Sequence, residues 1–307
     1  MKIIYSDHYD LHLGDHVFPS VKYRLTRDKL LADGVAAPGD FIEPEAASDE
    51  EVALVHHRDY IHKLKTGTLS PMEILRLEIP YSPELVRAVW LAAGGSILAG
   101  RQALRDGVSV NLGGGFHHAC PDHGEGFCVL HDVAIAIRCL QKHGAIRTAM
   151  TIDCDVHQGN GTAEIFAGDP TVFTFSMHQE HNYPFPKPPS SLDINLEDGA
   201  GDDEYLAALE DGLRRSFAAL QPDILFYLAG ADPYREDQLG GLKLSLAGLE
   251  HRDRLVFEKA GERKVPVAVT FAGGYARNVD DTIRIHASTV RIAKEFSRDG
   301  PSRASAT

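Results

Sequence analysis

The stretch TAMTIDCDVHQGNG, residues 148–161, decides how the rest of the chain is read. Its first part, 148–152, is a short apolar run with β-branched residues, as a buried strand requires. Its second part, DCDVHQGNG, holds two acids, a histidine, an asparagine and two glycines. In an extended segment residues i, i+2 and i+4 share a face, so Asp153, Asp155 and His157 are expected to project together, opposite Cys154 and Val156. Gly159 and Gly161 are expected to let the backbone turn sharply into a helix starting near Thr162. Two carboxylates and an imidazole on one face repel and desolvate one another unless a cation sits among them. A divalent metal ion meets that need, although the nonapeptide alone fits solvated loop acids equally well.

Outward from this stretch, the runs 3–5, 108–112, 172–176, 224–228 and 265–271 also read as buried strands. Segments of helical period lie between them at 83–105, 132–142, 204–220, 246–260 and 279–293, with Pro83 opening the first and Pro222 closing off the segment before it. This alternation predicts an α/β fold: a single open, mainly parallel β-sheet flanked by helices on both faces. Ligands of such sheets bind beyond the carboxyl ends of the strands. Polar clusters stand at four such ends: GGGFHH (113–118), DCDVHQGNG, GAD (230–232) and AGGY (272–275). Residues 1–296 are therefore read as a single domain, and 297–307, SRDGPSRASAT, as a disordered tail.

A formal charge of −13 opposes direct nucleic-acid binding, which needs a Lys/Arg excess against phosphate. No apolar stretch is long enough to span a membrane, and the start MKIIYSDHYD does not read as a signal peptide. Four cysteines without a C-x-x-C pair point to a reducing cytoplasm.

Asp232, a lone acid after an apolar strand, is placed to be a third ligand beside Asp155 and His157. Such a set leaves positions open for water and substrate, and suits Zn(II), with Fe(II), Co(II) or Mn(II) as competitors. His117 and His118 follow a glycine run that permits close backbone approach. One imidazole would take a proton from water while the other tunes charge. Asp153 and Asn160 are spare polar groups suited to fixing the histidine tautomers. Tyr275, on a turn read as flexible, is expected to expose its hydroxyl and stabilise an oxyanion.

These motifs, in this order, resemble the histone deacetylase family of the arginase–deacetylase fold, and most resemble its class IV branch through VNLGGGFHH, HQGNG, DDEYL and DQLGGLKLS. The likeness runs from HVFPSVKYR to Tyr275. It implies a zinc-dependent amidohydrolase that removes acetyl or longer fatty acyl groups from protein lysine side chains by attack of metal-activated water. It also implies Asp155, His157 and Asp232 as ligands, and His118 as general base and then acid. His117 is implied as its electrostatic partner bonded to Asp153, and Tyr275 as the group that polarises the carbonyl. Asn160 stands where class I members carry an aspartate, so it should raise the basicity of His118 less.

A structural potassium ion is implied at the backbone of Asp153, Asp155, His157 and Met177 with the Ser176 hydroxyl. Phe127 is implied as a channel wall, with Gly126, Gly273, Gly274 and Leu239 around it. Leu239 replaces the glutamate of the polyamine-specific branch, which weakens the alternative of a small acetylated amine such as an acetylpolyamine. Ala272 replaces a family glycine and is expected to stiffen its loop. His56 and Tyr60 match a structural His-x-x-x-Tyr, His178 and His181 read as loop packing, and Pro184 to Pro189 as a rigid rim loop. A ureohydrolase would need extra bridging aspartates near Asp232, where Pro233 and Tyr234 stand instead. A silent acyl-lysine binding module would have little use for Tyr275 and two histidines.

Overall fold

The computed structural model describes residues 1–297. The chain runs through β1 (Lys2–Ile4), α1 (Lys22–Ala32), β2 (Phe41–Ile42), α2 (Asp49–Val52), α3 (Arg58–Thr66), α4 (Pro71–Leu77) and α5 (Pro83–Asp106). There follow β3 (Val108–Asn111), α6 (Asp132–Lys142), β4 (Ala149–Asp153), α7 (Asn160–Ile165), β5 (Val172–Gln179) and β6 (Leu192–Leu196). The last elements are α8 (Asp202–Ala219), β7 (Ile224–Leu228), α9 (Leu246–Glu262), β8 (Val267–Thr270) and α10 (Val279–Phe296). Start signals act where the sequence writes them: Ser82 caps α5 ahead of Pro83, and Ser70 and Glu73 form a capping box on α4.

The strands form one sheet in the order β2-β1-β3-β8-β7-β4-β5-β6, and every pairing is parallel. Helices cover both faces. On β7 the Phe226 ring lies toward Gly100 of α5, while the next residue, Tyr227, donates its hydroxyl to Asp253 of α9 at 2.6 Å. The four strands that carry the polar clusters, β3, β8, β7 and β4, are consecutive in the sheet. Their parallel sense brings all four carboxyl ends to one edge.

All six strands expected from sequence are present, with shifted ends: β5 runs on to Gln179, and β8 is shorter than 265–271. The edge strands β2 and β6 were not foreseen. The first is two residues long, and the second carries Asp and Asn with partly exposed side chains, so neither shows a buried apolar run. Helix α7 starts at Asn160, two residues before the expected Thr162. Ser297 ends α10, and the remainder of the tail lies outside the described residues.

Candidate metal-dependent active site

Strand β4 ends at Asp153 and the chain then bends, so the three alternating polar residues do not share one face. Asp155 and His157 turn toward Asp232, which lies four residues past β7, and one donor atom of each falls within 4.8 Å of the others. Asp153 instead accepts from Asp155 N at 3.1 Å and faces His117. Backbone donors aim the carboxylates. Asp155 Oδ1 accepts from His157 N at 3.0 Å, Asp155 Oδ2 from Gly273 N at 2.7 Å, and Asp232 Oδ1 from Val156 N at 2.9 Å.

Asp232 Oδ2 is buried without a hydrogen-bond partner. Burial, reinforced by the Asp155 carboxylate, pushes Asp232 up to about 7. Two buried carboxylates, one with an orphaned oxygen, beside an imidazole form a donor set that fits a divalent cation. A Cβ at Gly273 would stand 1.9 Å from Asp232 Oδ2, so only glycine lets the 272–275 loop after β8 close over this set.

The glycines of DCDVHQGNG serve a different purpose from the expected turn. Gly159 has φ −73° and Gly161 is not left-handed either. A Cβ at Gly159 would meet Asp153 Oδ2 at 2.7 Å, and one at Gly161 would meet Ala119 O at 2.3 Å. Close approach to the 117–119 segment demands them.

That segment is placed by Asp132, the first residue of α6, whose buried Oδ1 accepts from Gly115 N at 3.0 Å and Phe116 N at 2.8 Å. The histidine rings lie 4.0 Å apart. His117 Nδ1 is 2.7 Å from Asp153 Oδ2, and His118 Nδ1 is 2.7 Å from Asn160 Oδ1. Burial lowers both imidazoles, but the carboxylates of Asp153 and Asp155 reverse this for His117 and raise it to about 9. His118, backed by an amide and flanked by two imidazoles, stays well below the usual range. The carboxylate behind His117 and the amide behind His118 thus drive the two imidazoles apart in basicity, a division suited to acid/base work.

Tyr275 departs from the exposed phenol on a flexible turn expected from sequence. It is 7% exposed, and its turn is held on both sides: Asp237 Oδ2 accepts from Tyr275 N at 2.7 Å, and Gln238 Nε2 donates to Tyr275 O at 2.9 Å. Ala272 adopts φ +53°, a left-handed conformation costly for alanine. Its carbonyl accepts from the fully buried Lys22 Nζ at 2.8 Å.

Phe127 packs 5.9 Å from the Tyr275 ring, and a Cβ at Gly126 would touch His118. Leu239 is half-buried and tied to the rim loop through Asn182 Nδ2 at 2.8 Å. Gly274 packs toward Ala231, Thr282 and His286. Register sets Asp153 beside Ser176, the hydroxyl of which lies 2.9 Å from His178 Nδ1, and Met177 follows in β5.

His178 is a buried strand residue rather than loop packing, whereas His181 is exposed 3.7 Å from Asp198. His56 and Tyr60 are structural: they bond to Cys120 O at 3.0 Å and Val129 O at 2.9 Å, bracing the loop that follows the histidine pair. Sequence reasoning missed Lys22, Glu125 and Tyr183. The Tyr183 ring lies 4.8 Å from His118, and only its place between histidines and prolines hinted at a site role. Among the described residues no helix is long and apolar enough to cross a membrane.

The family model described as the histone deacetylase domain matches residues 16–291. An uncharacterized protein of Picosynechococcus sp. is 42% identical over 281 residues, covering 92% of this chain and 94% of its own. Histone deacetylase 2 of Arabidopsis thaliana is 33% identical over 300 residues, covering 92% of this chain and 78% of its own. The crystal structure of an HDAC homolog from Aquifex aeolicus superposes with a TM-score of 0.81 at 26% identity, over 96% of this chain and 83% of that one. With its parallel sheet and buried Asp–His–Asp cluster, this chain belongs to the histone deacetylase family, enzymes of the arginase–deacetylase fold.

Proposed function

We propose that residues 1–296 form one catalytic domain that removes acyl groups from lysine side chains of proteins or peptides. The observation that carries this reading is the pair of adjacent buried histidines, one backed by the Asp153 carboxylate and the other by the Asn160 amide, set against Asp155, His157 and Asp232. Zinc, with Fe(II) or Co(II) as competitors for the same donors, would be held by those three residues and would supply Lewis acidity to the attacking water and the acyl carbonyl. His118, being neutral, takes the water's proton and later returns it to the leaving amine. His117, cationic beside Asp153, supplies fixed positive charge near the developing oxyanion. Burial and the charges of Asp155 and Asp232 keep the Tyr275 phenol protonated, so it donates to the carbonyl oxygen.

The juxtaposition of Asp153 and Ser176 supports a structural potassium ion that also uses the backbone of Asp155, His157 and Met177. Likeness to the class IV branch favours longer acyl groups. Four free, buried cysteines suit a cytoplasmic setting.

The test compares kcat/KM for a chain-length series of acyl-lysine peptides and for acetylpolyamines. Peptide turnover lost to a chelator and restored by zinc is expected. Inert peptides beside a cleaved polyamine would assign a small-molecule substrate instead.

A further inference from the structure

Asn160 meets two neighbours with its side-chain amide, and together they fix its orientation. One end lies 2.6 Å from Glu125 Oε1 and the other 2.7 Å from His118 Nδ1. An ionised carboxylate only accepts, so the NH2 faces Glu125 and the carbonyl oxygen faces His118. That oxygen also only accepts, which puts the imidazole proton on Nδ1 and leaves Nε2 as the basic nitrogen. We propose that Glu125 is a positioning residue that sets the tautomer of His118 through Asn160. Its consequence for turnover rests on the deacylase reading above; the tautomer itself does not.

A tight turn builds the device. Glu125 N donates to Cys128 O at 3.0 Å and Cys128 N to Glu125 O at 2.8 Å, while Gly126 and Phe127 take φ of +53° and +65°. Two left-handed central residues are normal for such a reversal, but for phenylalanine that conformation is strained. The turn brings three neighbouring residues to three parts of the site: Glu125 to Asn160, Gly126 to His118, and Phe127 to Tyr275.

Burial alone would raise the Glu125 carboxyl, but hydrogen bonds from His123, Tyr183 and Asn160 hold it at about 2, so it remains an acceptor. The arrangement differs from that of His117, which touches the Asp153 carboxylate directly. Here the negative charge is one amide removed, orienting the imidazole without pairing with it. Without Glu125 the amide could turn its NH2 toward His118, a state that requires the proton on Nε2 and blocks proton uptake there.

Long-range ¹⁵N NMR of the His118 ring tests this on metal-free and zinc-loaded protein, unmodified and with Glu125→Ala or Glu125→Gln. The unmodified protein is expected to show the Nδ1–H form. Glu125→Ala is expected to lose that signature and lower kcat about tenfold, with KM within about twofold. Glu125→Gln retains an amide oxygen acceptor and is expected to preserve both. In an Asn160→Asp background, where no amide can flip, Glu125→Ala is expected to leave the tautomer unchanged.

An Nε2–H form in the unmodified protein would overturn the proposal without recourse to any variant. An unchanged tautomer in Glu125→Ala would do so too, as would a raised KM for cationic peptides at constant kcat. The expected tautomers with no turnover of any acyl-lysine peptide would uphold the assignment and overturn the deacylase reading.

Discussion

Lys22 donates to the carbonyl of Ala272, a residue three positions before Tyr275 with a left-handed backbone that sets the direction of the tyrosine turn. Tyr275→Phe removes the hydroxyl and nothing that holds the turn. It is expected to lower kcat/KM about 10²- to 10³-fold, with zinc binding by calorimetry unchanged; equal turnover would take the phenol out of the chemistry. Lys22 is enclosed by the rings of Phe18, Tyr23 and Tyr275, each 5.5 to 5.6 Å from its ammonium, and burial lowers it to about 8 despite Asp232 and Asp155. Lys22→Met should leave the Ala272 carbonyl unpaired and cost about 1–3 kcal/mol in denaturant unfolding, with slower turnover. The clustering of Asp155, His157 and Asp232, and the place of Tyr275 near them, were legible because each follows an apolar run within a few residues. Lys22 was not, because nothing in its own helix announces a partner 250 residues away.

At the scale of elements, strand ends and helix starts place the chemistry. Asp132 links β3 to α6: as the first helical residue it holds the backbone N–H groups of Gly115 and Phe116, and so sets where His117 and His118 stand. Asp132→Ala leaves those buried donors without an acceptor. It is expected to destabilise the protein by about 2–4 kcal/mol and to reduce kcat, whereas Asp132→Asn, which retains one acceptor oxygen, should lose less. Equal unfolding midpoints for all three proteins would refute this link. The four polar clusters were readable as strand ends, and the structure sets those strands side by side. The bend after Asp153 was not readable, because period-two reasoning carries an extended face beyond the point where the ladder stops. Glycines that look like hinges proved to be gaps left for neighbouring atoms, information that lies in the tertiary contacts.

For the whole molecule, buried neutral histidines tie stability to pH. Burial holds His56 down to about 4, although its bonds to Cys120 and Pro121 oppose this. An unfolded histidine titrates near about 6.5, so between these values the unfolded chain takes up a proton that the native fold excludes. The contribution is complete above pH 6.5 and is lost on acidification by about 1.4 kcal/mol per pH unit. The stability difference between the native protein and His56→Asn, measured by urea unfolding, should therefore narrow from pH 6.5 to 4; a constant difference would refute it.

The order of the sheet carries one more consequence. Strand β8, the last of the described strands to leave the ribosome, lies between β3 and β7, so the middle of the sheet is completed after its flanks exist. Until then two bare, apolar strand edges face a gap, inviting pairing with other nascent chains. A message cut short upstream of Val267 would thus yield an adhesive fragment, dependent on chaperones, in place of a smaller working enzyme.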